Sequence, residues 1–325
     1  MPIHRGSMAL CLSLFAFCSR SYARKLPQGS CDIPVVVTHF DNALVEDLGP
    51  KEFQVQVDGI QGMVEVASID SGPKRIALMI DASRNIPDDE WILETQMAYK
   101  FVDHARPGDT FSFIVVGVDT VPSTMSDVRS IKDQLRKLMS SRPPVSDLSE
   151  PIYDALLASA KRLNPPEFAD TLFLFGHHED FGSRADADQV LDLILKNKLR
   201  FFGMSYADPL QGKLPPGFDP NKPLPPSLGP NKLEKMSNAT GNYFSFHSVQ
   251  VLNHTGQFQL YEGFLGDLYA RIAKPYRLRL AVPAVQGQIK LEISVSNLQE
   301  RKIRTSGIYY PHIIYSCTSL PASNF

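Results

Sequence analysis

The sequence predicts an α/β protein in which helices cover both faces of a mostly parallel sheet, together with a small β subdomain built from both ends of the chain. Continuous apolar segments such as Arg75–Ile80 and Thr171–Phe175 alternate with amphipathic segments in the central part. Apolar runs of this kind are typical of parallel strands that are buried on both faces. Segments with strand patterns come before and after this part, and they indicate the β subdomain.

The strands predicted near the two ends differ in pattern from those of the centre. Ile33–Thr38 is rich in β-branched residues, and Phe53–Val57 strictly alternates apolar and polar residues. Asp58-Gly59 is typical of a two-residue hairpin turn. The other strands predicted in these segments are Met63–Val66, Tyr276–Leu280, Ile289–Ile293 and Ile308–Tyr310. We expect the strands from both ends to form one subdomain.

Strands and helices alternate between these segments, which implies right-handed crossovers and a parallel sheet. The predicted strands are Arg75–Ile80, Thr110–Val116, Thr171–Phe175, Leu199–Ser205 and Tyr243–Phe246, and the predicted helices are one that begins near Pro87, Ile131–Met139, Ile152–Leu163, Ala187–Leu195, Leu233–Met236 and Phe258–Ala273. The chain therefore divides into an N-terminal β segment (24–73), an α/β domain (74–257) with a proline-rich insertion (207–231), and a C-terminal helix and β segment (258–325). We expect the last segment to pack with the N-terminal strands.

Charge and the N-terminal segment limit the functional classes. The 325 residues carry 33 Lys and Arg against 35 Asp and Glu, a net charge of −2, whereas general nucleic-acid binders have a basic excess. Residues 1–23 combine a basic start, a short apolar run and small residues at Ser21 and Ala23, as a cleaved secretory signal does. An uncleaved anchor is the alternative. No other segment has the roughly 20 apolar residues of a membrane span, so a secreted or periplasmic protein is predicted.

The cysteines are few and unevenly placed. Cys11 and Cys18 lie in the predicted signal, which leaves Cys31 and Cys317 near the two ends of the mature chain. In an oxidising compartment these two could form a disulfide if the two ends meet in one subdomain. The alternative is that they are independent thiols.

Candidate site residues follow the apolar strands, because ligands bind at the carboxyl ends of strands in open α/β sheets. The first such loop contains Asp81, Ser83 and Asn85, and an aspartate followed by polar side chains at alternate positions can direct several oxygens to one hard cation. This loop resembles the Asp-x-Ser-x-Ser motif of von Willebrand factor A domains. The resemblance implies a metal-ion-dependent adhesion site, in which a divalent cation binds an acidic group of a partner.

The resemblance extends along most of the mature chain. The sequence is similar to the secreted von Willebrand A-related proteins of acidobacteria, which open with a strand-rich segment. The further matching motifs are Ile152-Tyr-Asp-Ala155, the turn at Thr240–Phe244, the helix end at Ile272–Tyr276 and the closing segment Gly307–Pro311. The ordered set implies a von Willebrand A-like, Rossmann-like fold.

The metal-site positions depart from the family pattern. Asp81 and Ser83 match it, but Asn85 stands in place of a serine, Glu150 in place of a threonine, and His177 in place of an aspartate. Mg²⁺ requires near-octahedral oxygen ligands and tolerates imidazole poorly. We therefore expect a degenerate site in which the usual Mg²⁺ binding is lost or badly weakened.

The resulting functional prediction is a non-enzymatic, adhesion-type module that binds a protein partner at the carboxyl edge of the sheet, with neither nucleic acid nor a membrane span. The predicted partner-binding residues are Arg84, Ser149, His178, Glu179 and Asp180. No catalytic residue and no cofactor are predicted, although Mg²⁺ or Mn²⁺ stays a candidate.

Three alternatives use the same residues differently. Asp81, Glu150 and His177 could hold Zn²⁺ or Mn²⁺ in a metal-dependent enzyme, since these ions accept mixed carboxylate and imidazole ligands. His177, His178 and Glu179 could act as acid and base in a hydrolase, although no nucleophile motif accompanies them. A structural scaffold with a decayed site is the third alternative.

Overall fold

The computed structural model describes residues 28–82, 88–144, 151–176, 180, 182–205, 232–242, 244–246, 258–283, 287–296 and 305–315. The predicted signal (1–23) and the predicted insertion (207–231) lie outside the described residues. The described strands are β1 (Gln28–His39), β2 (Phe53–Val57), β3 (Ile60–Ile69), β4 (Arg75–Asp81), β5 (Thr110–Val116), β6 (Ser126–Asp127), β7 (Thr171–Phe175), β8 (Arg200–Ser205), β9 (Phe244–Phe246), β10 (Tyr276–Pro283), β11 (Gln288–Val295), β12 (Thr305–Tyr309) and β13 (Ile313–Tyr315). The helices are α1 (Asp88–Asp103), α2 (Val128–Ser140), α3 (Ile152–Arg162), α4 (Ala187–Lys196), α5 (Lys232–Ala239) and α6 (Phe258–Ala273), with a short 3-10 helix at Pro50–Glu52.

The central sheet has six strands in the order β6-β5-β4-β7-β8-β9. Five strands run parallel, and the two-residue strand β6 is antiparallel to β5 at one edge. Within this sheet the first strand along the chain is β4, which lies in the middle. The chain next adds β5 and β6 on one side of β4, and it then adds β7 on the other side. This is the doubly wound order, and sheets of this order bind ligands beyond the carboxyl ends of the strands between which the direction of winding reverses, here β4 and β7.

Helices cover both faces of this sheet. On one face, α1, α2 and α6 pack on strand residues such as Leu78, Phe113 and Phe173. On the other face, α3, α4 and α5 pack on the intervening strand residues, for example Ala77 and Leu172. Because alternate residues of each strand face opposite cores, both sets must be apolar, as the continuous apolar runs predicted.

Helix α6 contributes to the first of these cores. The sequence groups it with the C-terminal β segment, but its Leu265, Leu268 and Tyr269 are buried among residues of α1 and the six-stranded sheet. The Tyr269 ring meets the ring of Phe101 edge-on at 5.1 Å between centroids. The apolar stripe of α6 is thus buried by the α/β domain.

A second sheet has seven strands in the order β12-β1-β10-β3-β2-β11-β13. All of its pairings are antiparallel, and β1 lies between two strands from the C-terminal part of the chain. The sheet therefore interleaves strands from both ends of the described chain. The two sheets together confirm the predicted fold class.

The hairpin between β2 and β3 has the predicted turn. Val57 pairs with Ile60, and the two residues between them, Asp58 and Gly59, have φ of 48° and 76°. Two consecutive positive φ values define the turn that matches the twist of paired strands, and Asp-Gly is favoured in it.

Cys31 lies in β1 with 1% of its surface exposed, and it is disulfide-bonded. The other three cysteines of the sequence lie outside the described residues. The pairing of Cys31 with Cys317 accordingly stays a prediction.

Two buried contacts join the α/β domain to the segments around it. The guanidinium of Arg200 donates to the Asn242 side-chain oxygen at 3.2 Å and to the Arg271 carbonyl at 3.1 Å, and burial lowers the pKa of Arg200 to about 9. Gly241 has a φ of 71°, and a Cβ atom there would lie 1.8 Å from the carbonyl carbon of Tyr310. The backbone after α5 therefore touches the backbone before β13 directly.

We predict that Gly241→Ala lowers the free energy of unfolding by at least about 2 kcal/mol, since overpacking and a left-handed non-glycine residue each cost roughly 1–3 kcal/mol. Urea unfolding of the purified protein measures this. Gly263→Ala is the matched control, because a Cβ there meets no atom within 4 Å and lies inside α6. The control should gain about 0.5–1 kcal/mol. Equal stability of the two variants would contradict the close contact at Gly241.

Candidate functional site

The carboxyl end of β4 is fixed by a close contact with the end of β7. Asp81 is fully buried, and a Cβ atom on Gly176 would lie 2.4 Å from the Cβ of Asp81. The Gly176 amide donates to the Met204 carbonyl of β8 at 3.1 Å, which holds this backbone in the sheet. Only glycine fits here, so the Asp81 side chain lies directly against the backbone at the point where the sheet order reverses.

The loop after β7 caps the N-terminus of α3. The first amides of a helix lack partners within it, and Pro151 at the N-cap position offers no side-chain acceptor. Asp180 Oδ1 accepts from the Tyr153 amide at 2.9 Å, and Ser183 Oγ accepts from the Asp154 amide at 3.1 Å. The Ser183 hydroxyl in turn donates to Asp180 Oδ1 at 2.5 Å.

The N-terminal turn of α3 also provides acceptors for backbone amides of the loop after β7. The carboxylate of Asp154 accepts from the Arg184 amide at 3.1 Å and from the Ala185 amide at 2.9 Å. These bonds run in both directions between two segments that lie about 30 residues apart in the chain. They fix the loop after β7 relative to α3.

Tyr153 is buried enough to affect its chemistry. Loss of hydration on burial, with a smaller contribution from the negative charge of Asp180, raises the pKa of Tyr153 to about 12. The side chain is therefore a neutral phenol at physiological pH.

Arg142 brings a positive charge to this edge of the sheet. Its guanidinium donates to the Ala82 carbonyl at 3.4 Å, directly after Asp81, and lies 3.1 Å from the carboxylate of Asp88 at the start of α1. It also lies over the Trp91 ring, 5.6 Å from the centroid. The sequence gives no signal of this contact, because Arg142 and Ala82 lie 60 positions apart in the chain.

Glu94 is a buried polar group that is not among the predicted site residues. It is fully buried on α1, on the same side of the helix as Met97 and Phe101, which face the core. A carboxylate is rarely fully buried unless it has a partner. A charged residue inside the apolar stripe of a predicted helix is the signal that could have identified it.

Of the residues predicted to bind a metal or a partner, only two belong to the described part of the chain. Asp81 lies at the carboxyl end of β4, and Asp180 binds the end of α3. The predicted residues outside the described ranges are Ser83, Arg84, Asn85, Ser149, Glu150, His177, His178 and Glu179. Within the described ranges, no three His, Cys, Asp or Glu residues are grouped so that they could hold a metal ion. No helix in those ranges is long and apolar enough to cross a membrane.

The six-stranded sheet, with its one antiparallel edge strand and helices on both faces, has a von Willebrand A-like fold. No protein-family model and no curated protein matches the sequence. Solved structures with a similar fold include proximal thread matrix protein 1 from the mussel byssus, with 16% identity over 66% of this chain and 50% of that chain, at a TM-score of 0.45. This chain thus spans half the length of the mussel protein, of which another structure has zinc in its metal-ion-dependent adhesion site.

Two bacterial structures are similar to the same extent. BatB from Bacteroides thetaiotaomicron has 12% identity over 62% of this chain and 98% of its own, at a TM-score of 0.42. A von Willebrand factor type A protein from Catenulispora acidiphila has 8% identity over 90% of this chain and 75% of its own, at a TM-score of 0.43. At these values the likenesses carry no inference about function. The narrower resemblance to proteins of acidobacteria stays a prediction.

We predict that Asp180→Ala lowers the free energy of unfolding by about 1 kcal/mol, the usual effect of removing a helix cap. Asp180→Asn should retain most of this stability, because its side-chain oxygen can still accept from the Tyr153 amide. Urea unfolding, with amide hydrogen exchange at Tyr153 and Asp154, measures both effects. If the alanine variant exchanged as slowly as the wild type at these amides, the capping role of Asp180 would be wrong.

Proposed function

We propose that the protein is a secreted, non-enzymatic module that binds a protein of the cell envelope through the carboxyl edge of the six-stranded sheet, without Mg²⁺ in the site. The observation that carries the proposal is that the carboxylate of Asp180, at this edge, is hydrogen-bonded within the protein. It accepts hydrogen bonds from α3 and Ser183. The described residues of the loop after β7 are thereby held against α3, as a recognition site requires.

The donor set does not fit Mg²⁺. The family positions carry Asn85, Glu150 and His177, and an imidazole is a poor ligand for a hard cation that requires oxygen. The guanidinium of Arg142 already donates to the carbonyl next to Asp81. A positive charge at the residue after Asp81 disfavours a second cation there by Coulomb repulsion.

Secretion is part of the proposal for two reasons. The N-terminal segment has the pattern of a cleaved signal. Cys31 is disulfide-bonded, and such bonds form and persist in oxidising compartments.

Metal titration tests the degenerate site. We predict that isothermal calorimetry of the mature protein detects no Mg²⁺ binding up to about 1 mM, a dissociation constant equivalent to roughly −4 kcal/mol. Asp81→Asn is the matched control and should give the same result. Tighter Mg²⁺ binding that Asp81→Asn abolishes would contradict the proposal. Zn²⁺ or Mn²⁺ binding that His177→Ala abolishes would favour the metal-dependent enzyme instead.

Site-specific cross-linking tests the binding surface. Val121 lies in the loop that follows β5 and is 68% exposed, so a p-benzoylphenylalanine replacing it should cross-link to envelope proteins, with or without chelator. Glu167, an exposed residue before β7 at the opposite edge, is the matched control and should give no adduct. Adducts from Glu167 alone would place the surface elsewhere, and no adduct from either position would favour the scaffold alternative.

A further inference from the structure

We infer that a cleft between the end of β5 and helix α3 binds an acidic peptide segment with apolar side chains. This inference rests on the proposed function, and it names the chemistry of the partner. The cleft has a volume of about 760 Å³ and lies at the carboxyl edge of the six-stranded sheet. That volume is within the usual range of binding clefts, roughly 300–1,000 Å³.

The cleft exists because the sheet is covered unevenly at this edge. Helix α3 packs over β4 and β5, and α4 packs beside α3 on the β7 side. The strand next to β5 is the two-residue β6, which pairs only with Thr110 and Phe111 at the start of β5. Beyond Phe111 the loop after β5 takes the place of a strand and hydrogen-bonds to Phe113. The cleft lies between this loop and α3, and Leu157 and Ala158 contribute apolar surface to it.

The loop after β5 gives the cleft a fixed apolar rim. The carboxylate of Asp119 accepts from the Val115 amide at 3.0 Å, and the Asp119 amide donates to the Val115 carbonyl at 2.8 Å. These two bonds hold the turn. The turn leaves Val118 and Val121 39% and 68% exposed beside the opening. Apolar side chains in a fixed turn lose little entropy when a partner covers them.

The charges at the cleft determine which partner fits. Its two carboxylates, Asp119 and Asp154, accept hydrogen bonds from backbone amides. Its two cations are Lys161 and Arg184, both exposed, and neither lies within 4 Å of a carboxylate among the described residues. The N–H groups of Lys161 and Arg184 are available to a ligand, whereas the carboxylates of Asp119 and Asp154 already accept hydrogen bonds within the protein. An acidic segment whose apolar side chains enter the cleft satisfies both features.

Selection from a random dodecapeptide library displayed on phage, against the full mature protein, tests this inference. The expected result is enrichment of peptides that combine Asp or Glu with Leu, Ile or Phe. The most enriched peptide, synthesised with a fluorescent label, should bind less tightly as NaCl rises. Its dissociation constant, measured by anisotropy, should rise about tenfold in Lys161→Glu and in Arg184→Glu.

Two further variants distinguish binding in the cleft from a general attraction between the peptide and the charge of the protein. Ala158→Glu places a carboxylate in the cleft and should abolish binding, whereas Lys137→Glu changes an exposed lysine of α2 on the other face of the sheet and should leave it unchanged. Circular dichroism verifies that each variant is folded. Enrichment of basic peptides, no enrichment, or equal loss in Lys137→Glu would overturn the inference. Cross-linking at Val121 would still support the proposed function in each of these cases, and its absence would reject that function even if peptides bound.

Discussion

The hydrogen bonds between the loop after β7 and the N-terminus of α3 are the constraint on which the carboxyl edge of the sheet depends. A helix end and a loop supply each other's missing acceptors through Asp180, Ser183 and Asp154. Helix α3 also forms one wall of the cleft, and Arg184 of the same loop lines it. A change at the helix cap therefore alters the position of a charged cleft residue as well as the stability of α3.

The sequence is enough to predict the fold, because the signals for it are local. Apolar runs such as Leu172–Phe175 require burial on both faces, and Asp58-Gly59 determines a turn without help from distant residues. The parallel sheet with helices on both faces follows from the alternation of strands and helices, whereas the order of the six strands and the antiparallel edge strand β6 come from the structure alone. The interleaving of strands from both ends was likewise expected, because strand patterns occur at both ends with helical patterns between them.

The candidate site could be predicted only in part, because contacts distant in sequence define the roles of its residues. Asp81 was identified from its position after a buried strand. Nothing near Arg142 in the sequence indicates that it reaches the Ala82 carbonyl, since this contact joins residues 60 positions apart. For Asp180, the sequence predicts a contact with a partner, but the hydrogen bonds to α3 depend on where the helix lies. The sequence pattern identifies the type of side chain at a position, whereas the tertiary structure determines which groups that side chain contacts.

The interleaved seven-stranded sheet also determines when the protein can fold. Strand β1 pairs with β10, and the contact between Asp32 and Arg279 joins residues 247 positions apart. Pairing at such separation is slow to form, because closing the intervening loop costs entropy before any contact stabilises it. During synthesis, β1 has neither of its neighbours until the last strands have been made. The complete seven-stranded sheet therefore forms only after the C-terminal strands have been synthesised.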